Sequence, residues 1–581
     1  MAKTTERPTT GSGTPPTRSN GTRMLRRYGP FGLIVVIVAV VALVTVVFGG
    51  GDDDDAGSGG EVKSEEQLIR SGPMTPDKAE LLGRNVDFGP TCDEQRGRVA
   101  IPIIYSPPCV APFEGDNGGA TGQGVTGDTI KVVVYSADPA RDPLLATQVA
   151  TAGGDVSQET AQATTLGYLE VYEQYFETYG REVEFEFFTG TGAFNDAAAA
   201  TADAISIAEK KPFAVLNAPP QVTREFAVEL ASRGILCLGR CALALPENFT
   251  KEFLPYTWGN GPSPEQASRL AAEAIGTQGG PGKAEFAGDP ELQDKERVYG
   301  LVHFETPDGR YKDTMKVFKG TLKEQGIEIE GDVPFFLDLA RQQENARTII
   351  TKLKDAGVTS VIFYGDPLTP AAMTKEATAQ EYFPEWFLGP SVLADTTFFG
   401  RTYDQEQWQN GFGISLPPAR GEEETRNSFH IYQWFHATAP PDNTYAVIWP
   451  EVNLLMTGIH LAGPELTPEA FRDGLFRYPP TGGGPTNAHT SRGDRDFWPD
   501  TDYWGTDDAA LIWWDPTAEG ETENGIAGVG MYRYANQGKR YKLGEFPSNE
   551  EGGLFDVENS VTVFPQLPRE DVPPDYPSPA G

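Results

Sequence analysis

Residues 31–48 form an uninterrupted apolar stretch, FGLIVVIVAVVALVTVVF, which constrains the fold of this chain more than any other feature. The stretch contains no charged residue, and as a helix it would extend about 27 Å, close to the hydrocarbon thickness of a bilayer. Inside a bilayer the backbone finds no water, so a single span has to be helical. The sequence therefore predicts a transmembrane helix at Phe31–Phe48.

The charges on either side of this stretch predict its orientation. Residues 1–30 carry six basic side chains and one acidic side chain, whereas residues 49–60 read GGGDDDDAGSGG. Basic residues next to a transmembrane helix usually remain in the cytoplasm. We therefore expect a cytoplasmic amino end and an extracytoplasmic main part at the cell membrane. A cleaved signal peptide is the competing interpretation, but the apolar run is long and no small-x-small motif follows it directly. Between residues 31 and 60 there is also no cysteine for lipoprotein processing.

Composition narrows the possible partners. The formal net charge is -36, and without the +5 of residues 1–30 the remaining chain carries -41. Such a surface repels nucleic acid and other polyanions, so we expect neither as a partner. A chain of 581 residues is also too long for one hydrophobic core, which favours two domains or lobes.

The sequence has four cysteines, Cys92, Cys109, Cys237 and Cys241. On the oxidising side of a membrane they allow three disulfide pairings. We favour the two short loops, Cys92–Cys109 and Cys237–Cys241, because the first would close a Pro- and Gly-rich region without periodicity. A zinc site is the rival interpretation, but the CxxxC spacing has no matching pair and no neighbouring His, so we predict no metal.

From residue 128 onwards the sequence alternates between apolar runs and amphipathic stretches. Strands are predicted at Asp128–Ser136, Val183–Gly190, Phe213–Pro219 and Ile235–Gly239, with helices between them. We expect Asn195 and Thr223 to cap two of these helices. This alternation predicts a parallel sheet with helices on both faces.

The alternation restarts after a capping box at Ser263–Gln266. Strands are predicted at Arg297–Glu305, Ile327–Phe336, Thr359–Asp366 and Glu385–Gly389, then helices from residue 422, then strands at Ala510–Asp515 and Gly528–Ala535. The fold class is therefore α/β, with two doubly wound parallel-sheet lobes joined by a hinge and preceded by one transmembrane helix.

This interpretation divides the chain into segments. The first lobe is expected at residues 125–257 and 420–488, and the second lobe with the hinge at residues 258–419 and 489–565. A disordered cytoplasmic tail at residues 1–30, a tether and cysteine-loop segment at residues 49–124, and a Pro-rich tail at residues 566–581 complete the chain.

Sequence motifs of catalysis are missing. The chain has no GxSxG, HExxH, Walker A or complete GxGxxG motif. Its five histidines are scattered without ligand spacing, and His460 is expected to be a structural residue on a helix. A catalytic triad can be assembled from residues that are far apart in sequence, so missing motifs do not exclude an enzyme. We nevertheless expect a protein that is not an enzyme and has no cofactor.

In open parallel sheets, ligands bind beyond the carboxyl ends of the strands, and two such sheets joined by a hinge make a cleft that can close. The candidates are therefore the residues that directly follow the predicted strands: Asp138, Asn217, Ala218, Pro219, Pro220, Gly239, Arg240, Thr306, Tyr364, Gly365, Asp366, Gly389, Pro390 and Ser391. The alternative for each is an ordinary turn or helix cap. A further aromatic set could line the cleft or pack the hinge: Trp498, Tyr503, Trp504, Trp513 and Trp514.

Between Val125 and Pro547 the order of elements resembles type I periplasmic solute-binding proteins, notably the branched-chain amino-acid-binding group. VYGLVHFET, TSVIFYGD, EWFLGP and YAVIWPEVNLLMTGIHLAG are similar to the second-lobe strands and late helix of that family. NAPPQVTREFAVELASRGILCLG is similar to its ligand loop, helix and strand unit. The resemblance implies capture of a small ligand between two lobes and an ABC permease as partner.

Two loops depart from the amino-acid binders of this family. Those proteins hold the ligand carboxylate through hydroxyls after the third and fourth first-lobe strands, and the amine through an acid after a later second-lobe strand. Here the first loop reads Asn-Ala-Pro-Pro from Asn217, and the later loop reads Gly-Pro-Ser from Gly389. The acid is missing there, and Asp366 is the candidate substitute.

The sequence thus indicates a membrane-anchored extracytoplasmic solute-binding protein for a small polar ligand. One alternative is a ligand-sensing ectodomain that acts through a separate signalling protein, and another is a surface hydrolase. Neighbouring genes for a permease and an ATPase would favour transport, and genes for a kinase or cyclase would favour sensing. Activity on a substrate panel would identify the hydrolase.

Overall fold

The computed structural model describes residues 63–138, 140–141, 157–193, 195–219, 222–242, 245–306, 309–338, 340–391, 393–523 and 525–580. The predicted transmembrane helix at Phe31–Phe48 and the candidate Pro220 lie outside these residues. Within the described ranges, no helix is both long and apolar enough to cross a membrane.

Eighteen strands lie within the described ranges. In chain order they are β1 (Cys92–Asp93), β2 (Arg98–Val99), β3 (Thr129–Ser136), β4 (Glu182–Thr189), β5 (Ala214–Leu216), β6 (Leu236–Leu238), β7 (Thr257–Trp258), β8 (Tyr299–Phe304), β9 (Ile329–Phe335), β10 (Ser360–Tyr364), β11 (Glu385–Leu388), β12 (Gly411–Ser415), β13 (Arg420–Gly421), β14 (Asp508–Glu521), β15 (Ala527–Tyr534), β16 (Arg540–Lys542), β17 (Ser560–Val561) and β18 (Val563–Phe564).

The helices of the described part connect and cover these strands. They are α1 (Glu65–Ser71), α2 (Pro76–Leu81), α3 (Gln158–Tyr175), α4 (Ala197–Ala208), α5 (Thr223–Ala231), α6 (Glu247–Glu252), α7 (Pro264–Gln278), α8 (Pro290–Gln293), α9 (Lys312–Glu324), α10 (Gln342–Asp355), α11 (Thr369–Ala379), α12 (Thr397–Gly400), α13 (Gln405–Trp408), α14 (Asn427–His436), α15 (Tyr445–Ala462), α16 (Pro468–Arg477), α17 (Ala535–Gly538) and α18 (Asn549–Gly552). Three short 3-10 turns lie at Gly239–Ala242, Glu423–Thr425 and Arg569–Asp571.

The two predicted parallel sheets are present. The first has the order β4–β3–β5–β6–β7, and all its pairs are parallel. The second has the order β9–β8–β10–β11–β12 in parallel, and the late strand β14 then adds antiparallel to β12. Each parallel set follows the 2-1-3-4-5 order of a doubly wound fold, whose carboxyl edge is the expected ligand edge.

Each sheet is covered on both faces, which explains why its strands are almost uniformly apolar. In the first lobe, Val132 and Val134 pack towards the layer of α3, α15 and α16, whereas Val133 packs towards α4 and α5. In the second lobe, α10 and α11 cover one face, and α7 and α9 cover the other. Helices α15 and α16 therefore belong to the hydrophobic core of the first lobe, although they follow the parallel strands of the second sheet in sequence.

Two expected helix caps differ from the structure. The cap of α4 is Asp196, not Asn195, because the Asp196 carboxylate accepts the Ala199 N–H at 2.9 Å. Thr223 is already the first residue of α5, and its hydroxyl donates to the Pro219 carbonyl at 2.7 Å. The capping box at Ser263 is confirmed, since the Ser263 and Gln266 side chains each bond the other's backbone N–H.

The cysteine-loop segment packs against the first lobe in its described part. The disulfide Cys92–Cys109 has the predicted pairing and encloses the hairpin of β1 and β2. Lys63 forms an ion pair with Asp473 at 2.6 Å, and the hydroxyl of Tyr576, near the carboxyl end of the chain, donates to Asp93 at 2.7 Å. Residues 63–124 are therefore part of the folded unit.

The hinge brings distant stretches of the chain together. The Gly259 N–H donates to the Tyr503 carbonyl, and the Gly505 N–H donates to the Gly261 carbonyl, both at 3.1 Å. The buried Arg492 guanidinium also donates to the Gly259 carbonyl at 3.1 Å. The crossing from the first sheet to the second is thus held by backbone bonds to residues 492–505.

Candidate functional site

The turn after β5 carries a polar atom that has no partner among the described residues. Asn217 has a left-handed backbone conformation, with φ of 69°, which Asn tolerates better than most residues. Its side-chain Oδ1 is buried and accepts no hydrogen bond from the described residues. A buried unpaired carbonyl is costly, so this oxygen is available to a ligand donor.

A disulfide holds the next loop against this turn. Cys237, in β6, is bonded to Cys241 in the following 3-10 turn, in the predicted pairing. The Cys241 sulfur lies 3.2 Å from the Asn217 carbonyl oxygen. Because this sulfur belongs to a disulfide and has no hydrogen, the approach is a sulfur–oxygen contact. The loops after β5 and β6 are thereby kept together.

Arg240, within the same 3-10 turn, is paired with a buried acid from a late helix. Its Nε donates to Glu451 Oε1 at 2.9 Å, and its backbone N–H donates to the same oxygen at 3.2 Å. The Glu451 side chain is 3% exposed, and the Arg240 side chain is 40% exposed. Burial raises the pKa of Glu451, and the guanidinium opposes this rise. The terminal nitrogens of Arg240 make no hydrogen bond within the described chain and could receive an anionic ligand group.

Other first-lobe candidates have local roles. The Asp138 carboxylate accepts the Ala140 N–H at 2.9 Å and the Arg141 Nε at 3.1 Å, which shapes the turn after β3. Ala218 packs partly buried against the layer of α4 and α5, and the Pro219 carbonyl serves α5 through Thr223. These residues lie at the predicted edge, but their contacts are those of ordinary turns.

In the second lobe, Thr306 follows β8, and its Oγ1 is buried without a hydrogen-bond partner in the described part. Ser391 follows β11, the neighbour of β10, and is partly buried. The loops after β8, β10 and β11 are adjacent because these three strands are neighbours in the sheet. Thr306 therefore shares with Asn217 a buried side-chain oxygen without a partner among the described residues, although the two follow different strands of their sheets.

Two further second-lobe candidates, Tyr364 and Asp366, are engaged inside their own lobe. The Tyr364 ring packs 5.5 Å from the Phe318 ring, its hydroxyl lies 3.5 Å from Ser268 Oγ, and burial raises its pKa. Asp366 caps α11, because its carboxylate accepts the Leu368 and Thr369 N–H groups at 2.8 and 2.9 Å. Burial raises the pKa of Asp366, and these bonds oppose the rise. A ligand contact by either side chain stays a prediction.

Two contacts that the sequence did not reveal join the lobes beside this edge. Arg310, in the loop after β8, lies 3.8 Å from Glu225 of α5, measured from Nη2 to Oε1. Asn248 of α6 donates to Asp313 of α9 at 2.9 Å. The second carboxylate oxygen of Glu225 is buried and has no partner among the described residues. Segments that follow strands of both sheets therefore meet here.

The predicted aromatic lining of the cleft is not formed by β14. Trp513 and Trp514 lie in this strand, and Trp514 is fully buried against Tyr532, with ring centroids 5.0 Å apart. Trp498, Tyr503 and Trp504 are buried at the hinge. The aromatic set therefore packs inside the hinge and the second lobe and does not line the cleft between the candidate loops.

The arrangement suits a small polar solute rather than a metal. Oxygens without a partner among the described residues come from Asn217 and Glu225 in the first lobe and from Thr306 in the second, and Arg240 lies in the 3-10 turn that contacts Asn217 through Cys241. They offer acceptors, a hydroxyl and a positive group. No group of three metal-ligating side chains occurs in the ranges that the structure describes.

No family model and no curated protein sequence matches this chain. Among solved structures, the solute-binding protein of an ABC transporter from R. palustris, in complex with 4-hydroxybenzoate, is 14% identical with a TM-score of 0.48, and the match covers 74% of this chain and 100% of that chain. A leucine-, isoleucine-, valine-, threonine- and alanine-binding protein from Brucella ovis, in a closed conformation, is 10% identical with a TM-score of 0.49, over 76% of this chain and 100% of that chain.

A third similar structure is a branched-chain amino acid transporter substrate-binding protein from Streptococcus pneumoniae, in complex with isoleucine. It is 14% identical with a TM-score of 0.45, over 70% of this chain and 100% of that chain.

Proposed function

We propose that this chain is a membrane-anchored extracytoplasmic solute-binding protein that captures a small polar ligand between its lobes for an ABC importer. The observation that carries the proposal is the set of buried oxygens that have no partner among the described residues, at Asn217 and Thr306, which follow strands of the two sheets, and at Glu225 in the first turn of α5. Each of these atoms bears a desolvation cost that a bound polar solute would remove. A ligand that bridges both lobes also favours their closed arrangement.

The ion pair Glu225–Arg310 supports lobe closure as part of the binding cycle. It spans the two lobes next to the unpartnered oxygens, so it forms only when the edges approach one another. The Arg310 and Glu225 side chains are 13% and 26% exposed and lie 3.8 Å apart, so the pair is only partly screened and contributes on the order of 1 kcal/mol alone. The pair can therefore help closure without locking the cleft, and the ligand supplies the remaining stabilisation.

The location at the membrane rests on the sequence. Phe31–Phe48 would anchor the amino end, and the acidic main part would lie outside, where the disulfides Cys92–Cys109 and Cys237–Cys241 persist. The importer would be another protein, since this chain has no Walker A motif. Tethering would raise the effective concentration of the binding protein at that importer.

The test starts from the full chain, purified from membranes. We expect mass spectrometry of the released small molecules to identify a polar solute in stoichiometric amount. Calorimetry with that solute should show weaker binding for Asn217→Ala and Thr306→Val, whereas Thr348→Val, an exposed position on α10, should bind as the parent protein does. Loss of one hydrogen bond should weaken affinity by up to roughly tenfold. If both cleft variants bind like the control, the site is not where we place it.

A further inference from the structure

A cavity lies at the hinge, and none of the candidates that directly follow the predicted strands lines it. Its volume is about 140 Å³. Thr250 and Leu254 from the first lobe, Gln266 of α7 and three aromatic residues of the hinge segment, Trp498, Tyr503 and Trp504, form most of its wall. An apolar cavity of about 150 Å³ in another protein holds benzene, so this one has room for a molecule of that size.

The aromatic wall is held in place by its own contacts. Tyr503 packs against Trp258 with ring centroids 4.7 Å apart, and the Trp498 indole N–H donates to Asp507 Oδ1 at 2.9 Å. Trp498, Tyr503 and Trp504 are each at most 5% exposed. Flat surfaces that are already fixed favour a planar ligand, because little side-chain entropy is lost on binding.

Two lining residues carry polar atoms without a partner. The Oγ1 of Thr250 and the Nε1 of Trp504 are both buried and form no hydrogen bond within the described part of the chain. Thr250 is 1% exposed and Trp504 is 5% exposed, so bulk water does not satisfy these groups. A single hydroxyl or carbonyl oxygen on a ligand would accept a hydrogen bond from the Trp504 indole N–H.

The charged groups at the cavity wall are already neutralised. Lys251 pairs with Asp500 at 2.8 Å, and Glu247 pairs with Arg269 at 2.9 Å. The Gln266 amide donates to Asp502 at 2.9 Å. A charged ligand would lose its hydration without gaining an unpaired counter-charge, so the wall selects a neutral molecule.

We propose that the hinge cavity is a second binding site, which takes a small, neutral, planar molecule bearing one hydroxyl or carbonyl group. The site is independent of the solute cleft, because its lining residues are different. It joins residues of both lobes with the hinge segment itself.

Fluorine NMR of the full chain labelled with 5-fluorotryptophan tests this proposal, with phenol as the probe. The chain has nine tryptophans, and the resonances of Trp498 and Trp504 can be assigned through Trp498→Phe and Trp504→Phe. We expect phenol at millimolar concentrations to shift these two resonances saturably. Benzoate, which has the same ring and a charge, should leave them unchanged. A response shared evenly by all tryptophans, or an equal response to benzoate, would overturn the proposal.

Substitutions at Thr250 provide matched controls. Thr250→Ser keeps the hydroxyl and should bind phenol like the parent chain, whereas Thr250→Val should weaken binding by up to roughly tenfold. The remaining tryptophan resonances report whether each variant is folded. If Thr250→Val does not fold, Trp504→Phe serves instead, since it removes the indole N–H and leaves Trp498 as the reporter. Unaltered phenol affinity in the folded variant would contradict the assignment.

Discussion

Arg240 and Glu451 form an ion pair at 2.9 Å although 211 positions separate them in the chain. Arg240 lies in the turn after β6, and Glu451 lies in α15, which the chain reaches only after completing the parallel strands of the second sheet. The pair therefore holds the turn after β6, at the carboxyl edge of the first sheet, against helix α15. Because Glu451 is fully buried, Arg240 is its compensating charge as well as a candidate ligand contact.

Removal of one partner of this pair should lower the free energy of unfolding more than removal of both partners. We expect Arg240→Met to lower the free energy of unfolding by about 1–3 kcal/mol, because Glu451 is left buried with no compensating charge. In Arg240→Met/Glu451→Gln much of this loss should be regained. Chemical denaturation of the single and double variants measures the coupling. Strictly additive effects would mean that the pair is not energetically linked.

The two disulfides should differ in how much each contributes to the free energy of unfolding. The loop that Cys92–Cys109 closes spans 17 positions, whereas that of Cys237–Cys241 spans 4. In the chain-entropy model the longer loop stabilises by about 3 kcal/mol and the shorter one by about 2 kcal/mol. Denaturation of Cys92→Ala/Cys109→Ala and Cys237→Ala/Cys241→Ala should show this order. Non-reducing peptide mapping of the parent protein should recover only these two pairs.

His460 should make stability depend on pH. Its Nδ1 accepts the Glu177 N–H at 2.8 Å and its Nε2 donates to the Pro108 carbonyl at 2.9 Å, so the buried ring is neutral. Burial lowers its pKa to about 4, below the ordinary value of 6.5. The unfolded chain then binds the proton more readily, and stability is lost as the pH falls from about 6.5 towards 4, by up to about 3 kcal/mol.

Thermal unfolding between pH 7 and pH 4.5 measures this dependence. We expect a smaller loss of stability over this range in His460→Gln than in the parent protein, because the variant has no group to protonate at this position. Parallel curves for the two proteins would show that His460 does not contribute to the acid sensitivity.

Much of the architecture could be predicted, because it depends on local patterns. Apolar β-branched runs such as Val132–Val134 give buried strands wherever they occur, and their alternation with helices determines a parallel sheet. The two-residue strand β7 was missed, since Thr257–Trp258 is too short to show any periodicity. Helix α2 was missed as well, although Thr75 followed by Pro76 is a recognisable start.

The candidate site was predicted less completely, because its decisive contacts are tertiary. Asp366 follows a strand and precedes a helix, and the sequence cannot distinguish an acid that meets a ligand from one that caps α11. The pairing of Glu225 with Arg310 depends on how the lobes meet, which no local pattern encodes. Glu451 did leave a signal: it is the only acidic residue in a mostly apolar helix, and a lone acid there needs a partner.

Closure of the lobes on the solute is the central claim, and a distance between the lobes tests it most directly. All four cysteines of the sequence are in disulfides, so spin labels can be placed selectively at Ser206→Cys on α4 and Lys323→Cys on α9, both exposed. Pulsed electron resonance should give a broad distance distribution without solute and a shorter, narrower one with the solute recovered from the purified protein. An identical distribution with and without saturating solute would contradict the account.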